Sequence, residues 1–288
     1  MHLTVYGKTA VGPARDRNED ALLIADLTND LRLEGHLTRL DVGAWGALLA
    51  VSDGMGGAAA GEVASRMVLE SMLRSMSHHP KTPPAVGTRS AEAVMELAVN
   101  EANREVWQKA KEEGPGKMGA TLAAALVEGR FLHLATVGDS RAYLLRGGTL
   151  TQLSHDQSYV QILLDAGAMT TEEAEQAPMK HVILQAVGHQ PAVNVALSKL
   201  SLRERDCFLL CSDGLSNHVS EEEIRHLILR SSRLDVACDA LVDLAKTNGG
   251  TDDITVVIGG VSGDLPALVM SEAVTSTLEI FKEFPPPS

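Results

Sequence analysis

The chain has 288 residues, of which 44% are hydrophobic, enough for one large core or two small domains. Its formal net charge of −13 provides no basic face for a nucleic-acid backbone, and 3% aromatic content leaves the core to Ala, Val, Leu, Ile and Met. Three cysteines without C-x-x-C spacing, no apolar run of roughly eighteen residues and no charged-then-apolar start argue against a disulfide framework, a zinc site, a membrane span and a signal peptide, so a soluble cytoplasmic protein is expected.

Residues 3–6 read as a short strand and Gly12-Pro13 as a turn. The polar run Arg15-Asp16-Arg17-Asn18-Glu19-Asp20 then precedes an apolar strand over 21–25; it is either a solvated loop or the rim of a site. Residues 26–44 are weakly patterned and suggest a hairpin. An apolar strand over 47–52 leads into Asp53-Gly54-Met55-Gly56-Gly57, and residues 58–76 follow as a helix. Val63, Met67, Met72, Leu73 and Met76 recur near one face of that helix, a stripe expected to be core. His78-His79-Pro80 ends it, and residues 80–89 read as a loop. A second helix is predicted over 90–112, burying Val94, Leu97, Ala98 and Val106 and broken by Gly114-Pro115-Gly116.

From residue 118 the pattern becomes that of strands: 121–127, 131–137, 141–145 and 149–153, the last two joined by Gly147-Gly148. Such closely spaced strands imply an antiparallel sheet, not a βαβ ladder. A third helix begins near Asp156, and Thr170-x-x-Glu173 is a capping box. Residues 193–200 and 208–211 read as strands. Ser220-x-x-Glu223 caps a further helix, 234–246 is amphipathic, and 254–258 is a strand. Leu278, Ile280, Phe281 and Phe284 suggest a short helix stopped by Pro285-Pro286-Pro287 within a C-terminal extension, 262–288.

Acids recur where strands end: Asp53-Gly54, Asp213-Gly214, Thr251-Asp252-Asp253 and, between two strands, Gly138-Asp139. Aspartate is disfavoured in strands and costly to bury unpaired. Two carboxylates about 4 Å apart repel by roughly 4 kcal/mol at an effective dielectric near 20. Divalent cations would reverse that sign, and an all-oxygen set suits Mg²⁺ or Mn²⁺. The glycine-rich turn after Asp53 could also cradle phosphate on its N–H groups, but it lacks a G-x-x-x-x-G-K-S/T pattern and Asp53 would repel a bare phosphate. Each aspartate taken singly reads equally well as a turn former.

The ordered set Arg15-x-x-Asn18-Glu19-Asp20, Asp53-Gly54-Met55-Gly56-Gly57, Met118-Gly119-Ala120-Thr121, Val137-Gly138-Asp139-Ser140-Arg141-Ala142-Tyr143, Ser212-Asp213-Gly214 and Asp252-Asp253-Ile254-Thr255 resembles the metal-dependent protein phosphatases, type 2C, in their compact bacterial form. The resemblance spans residues 3–261. It implies an α+β fold, a four-layer αββα sandwich of two mainly antiparallel sheets flanked by helices, with a flap at 154–192. It implies a Ser/Thr phosphoprotein phosphatase that uses two Mg²⁺ or Mn²⁺ ions, with a water bridging them as nucleophile and room for a third ion. Carried over, Asp53 bridges the two ions, the Gly54 carbonyl binds one, Asp213 and Asp252 bind the other, and Asp139 with Asp213 matches the third site. Glu19 and Asp20 order waters around the ions, and Arg15 holds the substrate phosphate, with Arg17 as its rival and a surface ion pair to Asp16 or Glu19 as the plainer reading.

The chain departs from the family pattern at three places. Met55 stands where some members have a histidine that serves as general acid. Asp253 replaces the Asn of the usual Asp-Asn pair, and Ala120 replaces a threonine. The implied partners are phosphorylated Ser/Thr proteins and the counterpart kinase, acted on by a monomer. A non-catalytic phosphoprotein-binding regulator and a small-molecule phosphomonoesterase are the alternatives.

Overall fold

The computed structural model describes residues 1–56, 60–77, 90–113, 118–268 and 273–284. Gly57, the predicted helix start at 58–59, His78-His79-Pro80, the 80–89 loop, Gly114-Pro115-Gly116 and Pro285-Pro286-Pro287 lie outside the described residues. The strands are β1 (His2–Ala10), β2 (Asp20–Asp26), β3 (Leu31–Leu33), β4 (Thr38–Asp41), β5 (Ala47–Gly56), β6 (Met118–Ala120), β7 (Leu122–Glu128), β8 (Phe131–Val137), β9 (Arg141–Arg146), β10 (Thr149–Gln152), β11 (Ala196–Ser201), β12 (Cys207–Cys211), β13 (Ile254–Ser262) and β14 (Leu278–Lys282). The helices are α1 (Ala60–Ser77), α2 (Ala91–Glu113), α3 (Tyr159–Asp165), α4 (Thr171–Gln176), α5 (Asp213–Ser216), α6 (Glu221–Arg230) and α7 (Leu234–Thr247).

One sheet runs β10-β9-β12-β13-β1-β4; the other runs β14-β11-β8-β7-β5-β2-β3, with β6 paired to the end of β5. The pairings within both sheets are antiparallel. Their strands read as continuous apolar runs because both faces are covered. Successive residues point to opposite faces: Leu49, Ala125, Leu210 and Val257 fill the space between the sheets. Their neighbours Leu48 and Ala124 meet α1 and α2, while Leu209 and Ile258 meet α6 and α7. The four-layer αββα sandwich expected from the resemblance is thus built from three apolar seams.

Four sequence expectations change in three dimensions. Residues 26–44 are not one hairpin: β3 pairs with β2 and β4 with β1, in different sheets. Between them the chain passes over β1, where the Gly7 N–H donates to the Gly35 carbonyl at 3.0 Å. Val63 and Leu97 are exposed, at 38% and 47%. The buried faces are instead Ala64, Val68, Leu69, Met72 and Met76 on α1, and Met95, Ala98, Val99, Ala102 and Val106 on α2, because small residues let the helices sit close to the sheet. Asp213 begins α5, with Ser212 at its N-cap, so it opens a helical turn as well as following a strand. Finally, the short helix expected around residues 278–284 is the strand β14, which adds to the edge of the second sheet beside β11. A strand there satisfies the β11 edge, and a 3₁₀ turn, Val274–Ser276, leads into it.

That C-terminal segment is tied to a buried ion pair. Arg146 and Asp206, with side chains 2% and 1% exposed, meet at 2.6 Å, and Arg146 Nη1 donates to Thr277 Oγ1 at 2.7 Å. Thr277→Val is expected to leave that N–H unpaired and to cost about 1.5–3 kcal/mol in a urea melt, the usual range for a hydrogen bond to a charged group. A change within experimental error would show that the 3₁₀ turn does not anchor the extension.

Candidate metal centre and active site

The antiparallel register of β2 and β5 sets Asp20 directly opposite Asp53. Asp139 sits in the turn between β8 and β9, Asp213 starts α5 after β12, and Asp252 precedes β13. Burial pushes Asp20 up from 3.8 to about 7; the Ser212 hydroxyl bonded to it opposes the shift, and the charges of Asp213 and Asp253 add to it. Burial also raises Asp53 well above its ordinary value, helped by the charges of Asp20, Asp213, Asp139 and Asp252. Asp139 rises to about 8 through burial, Asp213 and Asp156, and Asp213 rises through burial and Asp252. Carboxylates from five points of the chain therefore lie within electrostatic reach of one another; Asp20 is buried, and Asp53, Asp139, Asp213 and Asp252 are half-buried.

Gly54 is required by close approach. A Cβ there would stand 2.0 Å from the Gly61 carbonyl oxygen and 2.6 Å from that of Glu19. The Gly54 N–H donates to that same Glu19 carbonyl at 3.1 Å, which packs the acid-bearing ends of β2 and β5 against the start of α1. The Glu19 carboxyl lies against Gly61, and burial raises its pKa despite nearby Arg15. The Arg15 guanidinium donates to Asp252 Oδ2 at 2.7 Å and stands 3.9 Å from Glu19 Oε2. It thus reaches the acids themselves rather than Asp16. Arg17 is exposed.

Sequence reasoning missed the groups that hold these acids in place. Asp253, 2% exposed, accepts the N–H of Gly12 at 2.9 Å and of Glu19 at 2.8 Å. It therefore pins both ends of the loop that carries Arg15. Thr121 Oγ1 accepts the Asp53 N–H at 3.0 Å and bonds Ser140 Oγ at 2.6 Å. Ser212 Oγ donates to Asp20 Oδ2 at 2.7 Å and accepts the Thr255 N–H at 3.0 Å. The available signal was hydroxyls and a second carboxylate at the ends of otherwise apolar strands, where buried polar groups need partners. Arg141 grips Asp156 through Nε and Nη2 at 2.7–3.0 Å, beside Asp139.

A polar cleft of about 840 Å³ opens from Asp139 and Asp213 toward α3 and α4, lined by Arg141, Lys180, His218 and Glu221 among others. The segment 154–192 forms its far wall. Both predicted capping boxes are present, Thr170 with Glu173 and Ser220 with Glu223. The base of this segment is stitched to β6 by reciprocal Ala120–Val187 main-chain bonds of 2.9 and 2.8 Å. His155 pairs with Asp165, and His181 and His189 are exposed.

The donor set suits hard divalent cations. Asp20 Oδ1 and Asp213 Oδ1 are buried without a hydrogen-bond partner. Among the described residues, no group of three or more His, Cys, Asp or Glu side chains is placed to hold an ion unaided. Ions here would draw on the Gly54 carbonyl and water as well as carboxylates, which Mg²⁺ and Mn²⁺ accept. The raised acids also set a pH dependence. Folding takes up protons between pH 4 and 8, so their contribution to metal-free stability is full below the ordinary 3.8 and is lost as pH rises through about 7 for Asp20 and about 8 for Asp139. In excess EDTA, Tm is expected to fall by about 5 °C from pH 6 to pH 8, and Mn²⁺, which binds the ionised acids, is expected to reverse the order. An EDTA-treated Tm that rises over this range would refute the shared acid cluster.

The profile of the protein phosphatase 2C family matches residues 35–245. A serine/threonine protein phosphatase, PstP, of Mycobacterium tuberculosis is 37% identical over 83% of this chain and 49% of its own length, so the chain spans about half of that curated relative. The serine/threonine phosphatase stp of Listeria welshimeri is 36% identical over 73% of this chain and 83% of its own. The crystal structure of the M. tuberculosis phosphatase superposes with a TM-score of 0.75 at 34% identity, covering 91% of this chain and 100% of that one. Another structure, of the PstP catalytic domain in complex with two manganese ions, gives 0.73 at 34% identity, covering 91% and 99%. By sequence over most of its length, and by the architecture that gathers its acids, this chain belongs to the protein phosphatase 2C family.

Proposed function

We propose that this chain is a Mg²⁺- or Mn²⁺-dependent phosphatase of phosphoserine and phosphothreonine in proteins. The observation that carries the reading is the gathering of acids from distant loops, where burial first and the neighbouring carboxylates second raise Asp20, Asp53, Asp139 and Asp213. In this reading Asp53, the Gly54 carbonyl, Asp213 and Asp252 hold two ions, and Asp139 with Asp213 offers a third position. When bound, such ions neutralise phosphate charge and make water acidic enough to act as a nucleophile near neutral pH. Arg15 presents a planar fork suited to two phosphate oxygens; its present partner Asp252 keeps it at the edge of the acids. Glu19 and Asp20 position waters around the ions. Met55 has no proton to give, so the leaving oxygen draws its proton from another group of the cleft.

The catalytic unit is residues 1–261, with the 154–192 flap shaping access and 262–288 as an addition to it. The substrates are phosphorylated products of a Ser/Thr kinase, the kinase included, and the setting is the cytoplasm, where the chain acts as a monomer. No helix among the described residues is long and apolar enough to cross a membrane. The test is kcat/KM for a phosphothreonine peptide in Mn²⁺, in excess EDTA and for Asp213→Ala. Turnover lost in both controls supports the reading; full activity in EDTA overturns it. Peptide capture without turnover would favour a binding regulator, and much better use of small phosphomonoesters would move the substrate class.

A further inference from the structure

Residues 138–140 join β8 to β9 outside the pairings of either sheet. Asp139 is the middle one, so its carboxylate is only as well placed as this turn. Side chains hold the turn. On its far side Ser140 bonds Thr121, and Arg141 grips Asp156. On its near side one residue, Gln157, makes both bonds. The Gly138 N–H donates to Gln157 Oε1 at 2.9 Å, and the Gln157 N–H donates to the Gly138 carbonyl at 2.9 Å. In an antiparallel sheet a residue directly opposite exchanges such a pair of bonds through its main chain. Here the side-chain amide oxygen takes the place of the main-chain carbonyl.

Gln157 is fully buried, and its Nε2 has no hydrogen-bond partner among the described residues. A buried N–H left unpaired is costly, and an apolar side chain would avoid that cost. The position is therefore not built for packing alone; what the glutamine supplies is its oxygen. The same residue reaches the base of the flap. Its carbonyl accepts the Leu184 N–H at 2.8 Å, and Gln185 Nε2 donates to its Oε1 at 3.3 Å. The next residue, Ser158, bridges to Ile183 and caps α3. None of these bonds reaches Asp53, Asp213 or Asp252.

We propose that Gln157 is a positioning residue: its side-chain oxygen sets the 138–140 turn so that Asp139 and Asp213 share one divalent ion, and it ties that ion position to the base of the flap. The proposal rests on the reading that these acids bind divalent ions. Groups that orient a metal ligand from behind cost about 10–100-fold in metal affinity when they are removed. Because Asp53 is held separately, by its pairing with β2 and by Thr121, the loss falls on the Asp139 position and spares the ions at Asp53 and Asp252.

The test counts Mn²⁺ bound to the full chain, from the EPR signal of the free ion, and follows turnover of a phosphothreonine peptide across the same Mn²⁺ titration. Gln157→Met keeps the length of the side chain and removes the oxygen. It is expected to raise Kd of the weakest ion at least about tenfold and to leave the tighter two unchanged. Turnover should shift to higher Mn²⁺ by the same factor and recover at saturation. In EDTA, hydrogen exchange at the Gly138 amide should become faster. Gln157→Glu keeps an oxygen for that amide and is expected to need no more Mn²⁺ than the parent. Turnover lost at every Mn²⁺ concentration in Gln157→Met would mark a merely structural residue and overturn the proposal, as would an unchanged Mn²⁺ titration or unchanged Gly138 exchange. If Gln157→Met does not fold, Gln157→Glu decides alone: a Mn²⁺ requirement raised about tenfold overturns it. A parent that binds two ions and no third also overturns it, whereas a parent that binds none overturns the metal-centre reading itself.

Discussion

Asp53→Asn is expected to lower turnover of a phosphothreonine peptide in Mn²⁺ by more than about 100-fold, because even the outer partners of metal ligands cost about 10–100-fold when removed. The same substitution is expected to stabilise the metal-free protein. Asp53 faces Asp20 across the β2–β5 pair and feels Asp213, Asp139 and Asp252, all of which push its pKa up after burial itself. Asparagine keeps the shape and removes one of the charges in that cluster. At pH 8 in EDTA the gain is about 1–3 kcal/mol, read as a higher Tm or a later urea midpoint. Mn²⁺ is then expected to raise the Tm of the variant far less than that of the parent. The opposed signs separate a metal centre from a structural role. A structural aspartate would lose both activity and stability, and a variant that is inactive and also less stable in EDTA would reject the assignment.

Asp253→Ala is expected to cost about 3–5 kcal/mol of folding free energy. Its carboxylate is buried and accepts two main-chain N–H groups, from Gly12 and Glu19. Each bond to a charged acceptor is worth about 1.5–3 kcal/mol, and alanine leaves both donors unpaired. Asp253→Asn keeps one acceptor oxygen and should lose about half as much. Because the loop between the two anchors carries Arg15, KM for the phosphopeptide should rise in Asp253→Asn while kcat changes less. A urea melt gives the stability and steady-state kinetics gives the KM. A cost for Asp253→Ala below about 0.5 kcal/mol, the range of ordinary surface changes, would show that the loop is held by other contacts.

The two predictions differ in how visible their residues were. Asp53 stands out as one of several acids set beside glycine or a second acid where apolar strands end, a recurrence that a plain turn former does not explain. Asp253 looked like the spare half of an acidic pair, and nothing local indicates that its oxygens point back toward Gly12, 241 positions away in the chain. Thr121, Ser140 and Ser212 were equally silent, since a hydroxyl at a strand end is ordinary until its partner is known. Val63 and Leu97 misled for the reverse reason: their bulk suggested core, whereas Ala64 and Ala98 occupy the helix faces that approach the sheet.

Most of the strands, the main helices and the two capping boxes were readable from order alone, because they depend on periods of two and 3.6 and on contacts a few residues long. The acids at strand ends were readable for the same reason. Which sheet each strand joins, that β3 and β4 part company and that the last segment extends a sheet edge were settled only by the folded chain. Those outcomes depend on pairing between segments far apart in sequence, where no local preference chooses the partner. Burial of one set of strand faces between the sheets, and of the other against the helices, makes that choice and brings the carboxylates together.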